Sequence, residues 1–221
     1  MKKTAIILGA TGFVGNRLLQ KLIEDDRYEA IKLFSRSKIE GLSIKVKQFI
    51  GDILDLEQFS DDFTGNDVFC CIGTTAKKTP DKALYKKIDY GIPVAASKLA
   101  KVNHIDTFLV ISAIGADKNS NVFYNKIKGL MEHDVLQQNL KSTYILRPAL
   151  IGGERDENRT LEKMGLVVFK LIQPVLVGKL KKYRIVNAET IAQAMIHLAN
   201  SKNHSEGIIT SDHINTLGNN N

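Results

Sequence analysis

The sequence predicts an α/β protein: a Rossmann-like, doubly wound parallel sheet with a small C-terminal substrate lobe. Three observations support this prediction. Short apolar runs alternate with amphipathic helical segments up to Gly152, a glycine-rich turn joins the first run to the first helix, and the alternation changes after Gly152. Because strands that alternate with helices pair in parallel through right-handed crossovers, this order predicts a sheet covered by helices on both faces.

The predicted elements follow one another in a regular order. Strands are expected at 4–10, 30–35, 44–50, 67–72, 107–112 and 143–147, because each is a short apolar run. Helices are expected at 13–24, 81–102 and 121–138. Pro93 must kink the second of these helices or lie in its first turn, since proline has no N–H to donate.

The segment after Gly152 is too short for a second domain. It predicts a charged loop at 154–160, a helix at 161–176, a short strand at 183–186, a helix at 189–200 and a strand at 207–211. The tail, 217–221, has nothing to bury and is expected to fray. We therefore expect one NAD(P)-binding domain over residues 1–221, in which about 153–187 form a lobe that closes over a substrate or partner.

Composition excludes several classes of function. The 221 residues carry a net charge of +7, but the lysines are dispersed and do not alternate with aromatic residues, so nucleic-acid binding is not expected. No apolar run approaches the roughly 20 residues of a membrane span. The apolar start is too short for a secretory core, which predicts a cytoplasmic protein. Cys70 and Cys71 are adjacent and unsuited to a disulfide framework, and no metal-ligand spacing is present.

The turn from Gly9 to Gly15 is the strongest functional signal. Gly9 allows a tight turn, Gly12 allows the backbone to approach a pyrophosphate, and Gly15 allows the helix to pack close to the strand. The N–H groups at a helix N-terminus then hold the anion. The spacing predicts a dinucleotide site, with a tight turn that binds no ligand as the alternative. The residues predicted to form this part of the site are Gly9, Thr11, Gly12, Phe13, Val14 and Gly15.

The end of the second strand indicates which dinucleotide is bound. Proteins that prefer NAD usually place an acidic residue there, but this strand ends in Ser35-Arg36-Ser37-Lys38. Ser35 and Arg36, with Lys38 as a further candidate, are suited to a 2′-phosphate, which predicts NADP(H) in preference to NAD(H); a solvated basic loop is the alternative. Asp52 and Ile53, after the third strand, are predicted at the adenine, and Gly73 and Thr74, after the fourth, at the adjoining ribose.

Three further residues suggest proton transfer. Tyr124 and Lys128 are four positions apart on one predicted helix face, and Ser112 ends the fifth strand. A neighbouring ammonium lowers the pKa of a tyrosine phenol, so that Tyr124 could act as general acid or base while Ser112 binds the same substrate oxygen. Tyr124 and Lys128 would also contact the cofactor. The alternative is an amphipathic tyrosine beside a surface lysine.

These motifs resemble the short-chain dehydrogenase/reductase superfamily in its extended and atypical branches. Longer stretches, 67–75, 115–120 and 123–129, resemble the NmrA-like Tat-interacting-protein group of oxidoreductases. The resemblance implies a Rossmann fold, NADPH binding and a Ser112–Tyr124–Lys128 site. Extended members commonly carry an asparagine that supports the catalytic lysine through water; here the matching residue is Asp89.

The leading hypothesis is an NADP(H)-dependent oxidoreductase that acts on a small carbonyl or alcohol, as a monomer or homodimer without a membrane partner. A second hypothesis is a non-catalytic NADPH-sensing protein that offers residues 154–182 to a partner, since a nucleotide site does not by itself imply turnover. A third is an isomerase or epimerase of nucleotide-linked sugars. The basic end of the second strand and the short lobe argue against the third.

Overall fold

The computed structural model describes residues 2–152, 178–201 and 206–219. Seven parallel strands form the main sheet in the order β3-β2-β1-β4-β5-β6-β9, and β7 and β8 form a separate parallel pair. This sheet confirms the Rossmann-like prediction. The strands are β1 (Lys3–Leu8), β2 (Tyr28–Ser35), β3 (Val46–Ile50), β4 (Asp67–Cys70), β5 (Thr107–Ile111), β6 (Ser142–Arg147), β7 (Ile151–Gly152), β8 (Val186–Asn187) and β9 (Glu206–Thr210).

Helices cover both faces of the sheet. The helices of the described residues are α1 (Phe13–Glu24), α2 (Lys82–Lys86), α3 (Ile92–Val102), α4 (Phe123–Leu136), α5 (Ala188–Ala199) and α6 (Ser211–Asn219), with 3₁₀ turns at Leu56–Phe59 and Gly178–Tyr183. Successive residues of a strand point to opposite faces. Accordingly, Ala5 and Ile7 of β1 pack with α1 and α5, whereas Ile6 and Leu8 pack with α3 and α4.

The helix predicted over 81–102 has three parts. Asp81 caps α2 by accepting hydrogen bonds from the amides of Ala83 and Leu84 at 2.7 and 3.0 Å. A π-helical turn, Lys87–Gly91, then leads into α3, and Pro93 lies at its start. Because proline cannot donate to the carbonyl four residues earlier, a wider turn there is physically reasonable. Asp89 lies in this turn and is buried.

The C-terminal predictions were partly wrong. The short strand predicted at 183–186 begins only at Val186, where β8 pairs with β7, because the preceding 3₁₀ turn extends to Tyr183. The tail predicted to fray is helical to Asn219, because α6 packs on α5: Ile214 is buried, and a Cβ at Gly218 would lie 2.2 Å from the Thr190 carbonyl oxygen. The loop predicted at 154–160 and the helix at 161–176 lie outside the described residues.

Candidate active site

The glycine turn leaves no room for a side chain at its two ends. Gly9 has a φ of +86°, in the left-handed region that favours glycine, and a Cβ there would lie 2.9 Å from the Cys71 carbonyl oxygen. A Cβ on Gly15 would lie 2.1 Å from the Gly9 carbonyl oxygen. The Gly12 amide donates to that same oxygen at 2.9 Å and closes the turn. The sequence thus forms a tight strand-to-helix connection that only glycine permits at these two points.

The N-terminus of α1 is suited to an anion. Gly12, its N-cap, has no side chain that could accept a hydrogen bond from the helix, and the residues Phe13–Asn16 include no carboxylate. The first turn of a helix presents N–H groups that have no acceptor within the helix, together with the positive end of the helix dipole. The backbone therefore fits the pyrophosphate of a dinucleotide.

A cleft of about 580 Å³ extends from this turn along the carboxyl edge of the sheet. It opens beside β1 and β4, where the strand order reverses, which is the usual ligand position in such sheets. Nine of the predicted site residues line it: Thr11, Gly12, Phe13, Val14, Gly73, Thr74, Ser112, Tyr124 and Lys128. Its wall also includes Asn16, Arg17 and Cys71, which the sequence did not assign to the site.

The residues predicted at the adenosine end lie at the same edge but outside this cavity. Ser35 and Ile50 are register partners at the ends of β2 and β3. The Ser35 hydroxyl donates to the Ser37 carbonyl oxygen at 2.9 Å. The Asp52 carboxylate accepts a hydrogen bond from the Leu54 amide at 3.0 Å, and Ile53 lies between them in this turn. Their contact with a cofactor remains a prediction.

Lys128 forms a buried ion pair on the floor of the cleft. Its ammonium lies 2.9 Å from an Asp89 carboxylate oxygen, and both side chains are less than 5% exposed. The other Asp89 oxygen accepts a hydrogen bond from the Thr74 amide at 2.8 Å, and the Lys128 ammonium donates to the Ile111 carbonyl oxygen at 3.3 Å. Asp89 thus ties the π-helical turn to both α4 and the loop after β4. Direct pairing replaces the water-mediated support that an asparagine would give.

Tyr124 differs from the expectation that Lys128 lowers its pKa. Burial raises the pKa of the phenol above its ordinary value; the Lys128 charge opposes this rise and the Asp89 charge adds to it, so that the net direction is upward. Burial also acts against the charged form of Lys128, but the negative charge of Asp89 outweighs it and raises the pKa of Lys128. The site therefore holds a neutral phenol beside a charged ammonium.

Ser112 has a partner that sequence reasoning missed. Its hydroxyl donates to a carboxylate oxygen of Glu132 at 2.5 Å, and Glu132 is buried. The guanidinium of Arg147 donates to both oxygens of Glu132, from Nε at 2.8 Å and from Nη2. Glu132 follows Lys128 by four positions, so it shares a helix face with the lysine. The four-residue spacing between Lys128 and Glu132 is the feature of the sequence that could have indicated this partner.

The described residues include no cluster of side chains suited to a metal ion. Within the same residues, no helix is both long and apolar enough to cross a membrane. Cys70 and Cys71 are free thiols, as their adjacency predicted. Burial raises the pKa of Cys70 to about 11, so this thiol stays protonated.

Comparisons with known proteins agree with this geometry. A family model described as NAD(P)H-binding matches residues 9–200. The chain is 30% identical over 203 residues to "Protein FMP52, mitochondrial" of Debaryomyces hansenii, covering 89% of this chain and 87% of that protein. It is 35% identical over 171 residues to the protein of the same name from Meyerozyma guilliermondii, with coverages of 74% and 71%. Protein HTATIP2 of Rattus norvegicus is 30% identical over 161 residues, with coverages of 71% and 66%.

Solved structures with the same fold include an enzyme in complex with NAD⁺ and a UDP-glucose 4-epimerase. The Bordetella bronchiseptica enzyme WbmH, solved in complex with NAD⁺, has a TM-score of 0.72 and 15% identity, covering 96% of this chain and 76% of its own. The UDP-glucose 4-epimerase of Thermotoga maritima has a TM-score of 0.69 and 19% identity, with coverages of 97% and 81%. At these identities the likeness shows the fold alone.

The relatives correct one expectation. Those from Debaryomyces hansenii, Scheffersomyces stipitis and Meyerozyma guilliermondii are all named as mitochondrial proteins. The cytoplasmic location predicted from the short apolar start is therefore wrong. The length of an apolar segment tests for a secretory signal, and it carries no information about other destinations.

Proposed function

Because this chain belongs to the NAD(P)H-binding family, within the short-chain dehydrogenase/reductase superfamily that its motifs resemble, we propose that it is an NADP(H)-dependent oxidoreductase acting on a small carbonyl or alcohol. One observation carries the proposal. A single cleft joins the uncapped N-terminus of α1 to Tyr124, Lys128 and Ser112. A dinucleotide held by its pyrophosphate at one end of that cleft has room to reach the titratable groups at the other.

The chain's own residues supply the proton chemistry. When bound, the nicotinamide ring supplies or accepts the hydride. Tyr124, which is 40% exposed and lines the cleft, gives a proton to the carbonyl oxygen in reduction or takes one from the alcohol in oxidation. Lys128 holds positive charge near the phenol and favours its ionised form during the transfer.

The end of β2 supports NADP(H) in preference to NAD(H). Arg36 is exposed there, and no acidic residue is present within Leu33–Lys38. The neighbouring Lys38 is paired with Glu40 at 3.1 Å, whereas Arg36 forms no ion pair among the described residues. A guanidinium in this position suits the bidentate contact that a 2′-phosphate requires.

Calorimetric titration of NADPH and NADH tests the cofactor preference. The substitution Arg36→Ala is expected to weaken NADPH binding about 10- to 100-fold, the range of a charge-assisted hydrogen bond, and to leave NADH binding nearly unchanged. Arg27→Ala is the matched control, because Arg27 pairs with Asp25 at the opposite edge of the sheet. Tighter binding of NADH than of NADPH by the unaltered chain would contradict the preference.

Turnover is tested with a panel of aldehydes, ketones and quinones, with NADPH oxidation followed by absorbance. Tyr124→Phe is expected to lower the rate at least about 100-fold, the contribution usual for general acid catalysis, without weakening NADPH binding. Turnover that survives this substitution unchanged would reject Tyr124 as the proton donor.

A second candidate, an NADPH-sensing protein without turnover, is favoured by a specific observation. Lys128 is paired with Asp89, the pKa of Tyr124 is raised by burial, and the Ser112 hydroxyl donates to Glu132. All three features reduce the readiness of the site for proton transfer. NADPH binding with no turnover on the whole panel, and no effect of Tyr124→Phe, would support this candidate.

A further inference from the structure

The buried carboxylate of Glu132 determines whether the Ser112 hydroxyl donates or accepts a hydrogen bond in the cleft. The Ser112 hydroxyl lies 2.5 Å from Glu132 and lines the cleft on its other side. An ionised carboxylate only accepts hydrogen bonds, so the serine must be the donor in this contact. A hydroxyl has one proton and two lone pairs. Once the proton is given to Glu132, the serine oxygen presents only lone pairs to the cleft.

Arg147 places a positive charge beside Glu132 and holds its carboxylate in place. The guanidinium contacts both carboxylate oxygens, and Arg147 ends β6, the strand that pairs with β5 just before Ser112. The Ser112 amide donates to the Leu146 carbonyl oxygen at 2.7 Å, which fixes the serine backbone against the same strand. Bidentate contact with an arginine is geometrically specific, so the carboxylate has little freedom to release the serine proton.

We propose that Glu132, held by Arg147, is a positioning residue that makes Ser112 a hydrogen-bond acceptor and thereby selects substrates with a hydroxyl next to the reacting carbon. This inference rests on the proposed oxidoreductase. A carbonyl oxygen directed at Ser112 would meet lone pairs and be repelled. In reduction the Tyr124 proton goes to the reacting oxygen, so the donor that Ser112 requires must come from elsewhere on the ligand. A 2-hydroxycarbonyl, or the corresponding 1,2-diol, supplies it.

The test compares two ketones, in one of which a methyl group replaces the proton of the hydroxyl beside the carbonyl. Hydroxyacetone and methoxyacetone both place an electron-withdrawing oxygen beside the carbonyl, but only the first can donate a hydrogen bond. The measured quantity is the ratio of their kcat/KM values with NADPH. This ratio does not depend on the fraction of folded protein, so a destabilised variant is still informative.

The ratio is expected to fall about tenfold in Ser112→Ala, which leaves the Glu132–Arg147 pair intact, and by a similar factor in Glu132→Gln. The double variant is expected to lose no more than Ser112→Ala alone, because Glu132 acts through the serine. An unchanged ratio in both single variants overturns the proposal. So does a Glu132→Gln variant that lowers both kcat/KM values by the same factor, which would show a merely structural role.

Failure of the proposed function is distinguishable from failure of this inference. If the chain reduces neither ketone, nor any other carbonyl, the oxidoreductase proposal fails. Equilibrium binding of 1,2-propanediol and 1-methoxy-2-propanol to the NADP⁺-saturated chain then decides the inference. Tighter binding of the diol that is lost in Ser112→Ala supports an acceptor at Ser112, and equal binding of the two ligands overturns it.

Discussion

Two buried carboxylates, Asp89 and Glu132, contact residues that are proposed to take part in proton transfer. Asp89 faces Lys128, and Glu132 faces Ser112. Each carboxylate is matched by one cation, since Arg147 pairs with Glu132. Removing one member of a buried ion pair leaves the other charge unpaired, which lowers the free energy of unfolding. Substitution of either carboxylate should therefore change the stability of the protein as well as its activity. The chemistry of the site therefore depends on side chains that a substrate need not touch.

Asp89→Asn is expected to lower the pKa of Tyr124. The negative charge of Asp89 disfavours the tyrosinate and so raises this pKa, and its removal has the opposite sign. In alcohol oxidation the tyrosinate is the base, so the acidic limb of the kcat/KM profile should lie above the ordinary pKa of a tyrosine and move to lower pH in the variant. Asp106→Asn is the control, because Asp106 pairs with Lys141 at the surface. A limb that stays in place or moves upward would contradict this assignment.

At the scale of elements, β1 and α1 approach too closely for any side chain between them, and this geometry supports the proposed phosphate site at the start of α1. A Cβ on Gly15 would meet the backbone of Gly9 and Ala10. The helix N-terminus is thereby held directly beside the carboxyl end of β1. On the other side of the cleft, the π-helical turn positions Asp89 next to the ammonium of Lys128.

Gly15→Ala is expected to abolish measurable NADPH binding and to lower the free energy of unfolding by about 1–3 kcal/mol, the usual cost of overpacking. The reason is the 2.1 Å approach of the new Cβ to the Gly9 carbonyl oxygen. Gly207→Ala, in β9, has open space around its Cβ and should change the free energy of unfolding by no more than about 0.5 kcal/mol. Urea denaturation and calorimetry give the two readouts. Normal NADPH affinity in Gly15→Ala would show that the turn does not hold the cofactor.

The sequence predicted the elements whose signal is local. The strands up to β6, the helix α1 and the glycine turn each have their own periodicity or residue type, and they lie where expected. The π-helical turn, the helical end at Leu217–Asn219 and the role of Glu132 depend on contacts distant in sequence: α4 with the π-helical turn, α6 with α5, and α4 with the ends of β5 and β6. No local pattern contains those contacts. The sequence therefore indicated nine residues that line the cleft and did not indicate Glu132, which hydrogen-bonds to Ser112.

At the scale of the whole molecule, the two edges of the sheet have different roles. The carboxyl edge carries the cleft. The amino edge carries a buried network, in which the Asp67 carboxylate accepts hydrogen bonds from the Tyr28 hydroxyl at 2.7 Å and the Lys3 ammonium at 3.0 Å. The Asn200 amide donates to the Tyr28 hydroxyl at 3.1 Å, so the network joins β1, β2 and β4 to the end of α5. We expect this network to affect the free energy of unfolding and not the affinity for NADPH.

Tyr28→Phe is expected to lower the free energy of unfolding by about 1.5–3 kcal/mol, because Asp67 loses a buried donor. Tyr90→Phe removes a hydroxyl that donates to Asp134 at 2.5 Å where both side chains are partly accessible, so it should cost less than about 1 kcal/mol. Urea denaturation measures both. NADPH affinity should be unchanged in Tyr28→Phe, and a clear loss of affinity there would contradict the division between the two edges.

The proposed function requires that a dinucleotide bind along the carboxyl edge of the sheet, with its adenosine end at β2 and β3 and its reactive end in the cleft beside Tyr124 and Lys128. A crystal structure of the chain with NADP⁺ tests it most directly. We expect the pyrophosphate to bind the backbone amides at the start of α1 and the 2′-phosphate to lie near Arg36. The nicotinamide ribose should lie within hydrogen-bond reach of the Lys128 ammonium. A nucleotide bound away from the start of α1, or one whose nicotinamide points away from Tyr124, would contradict it.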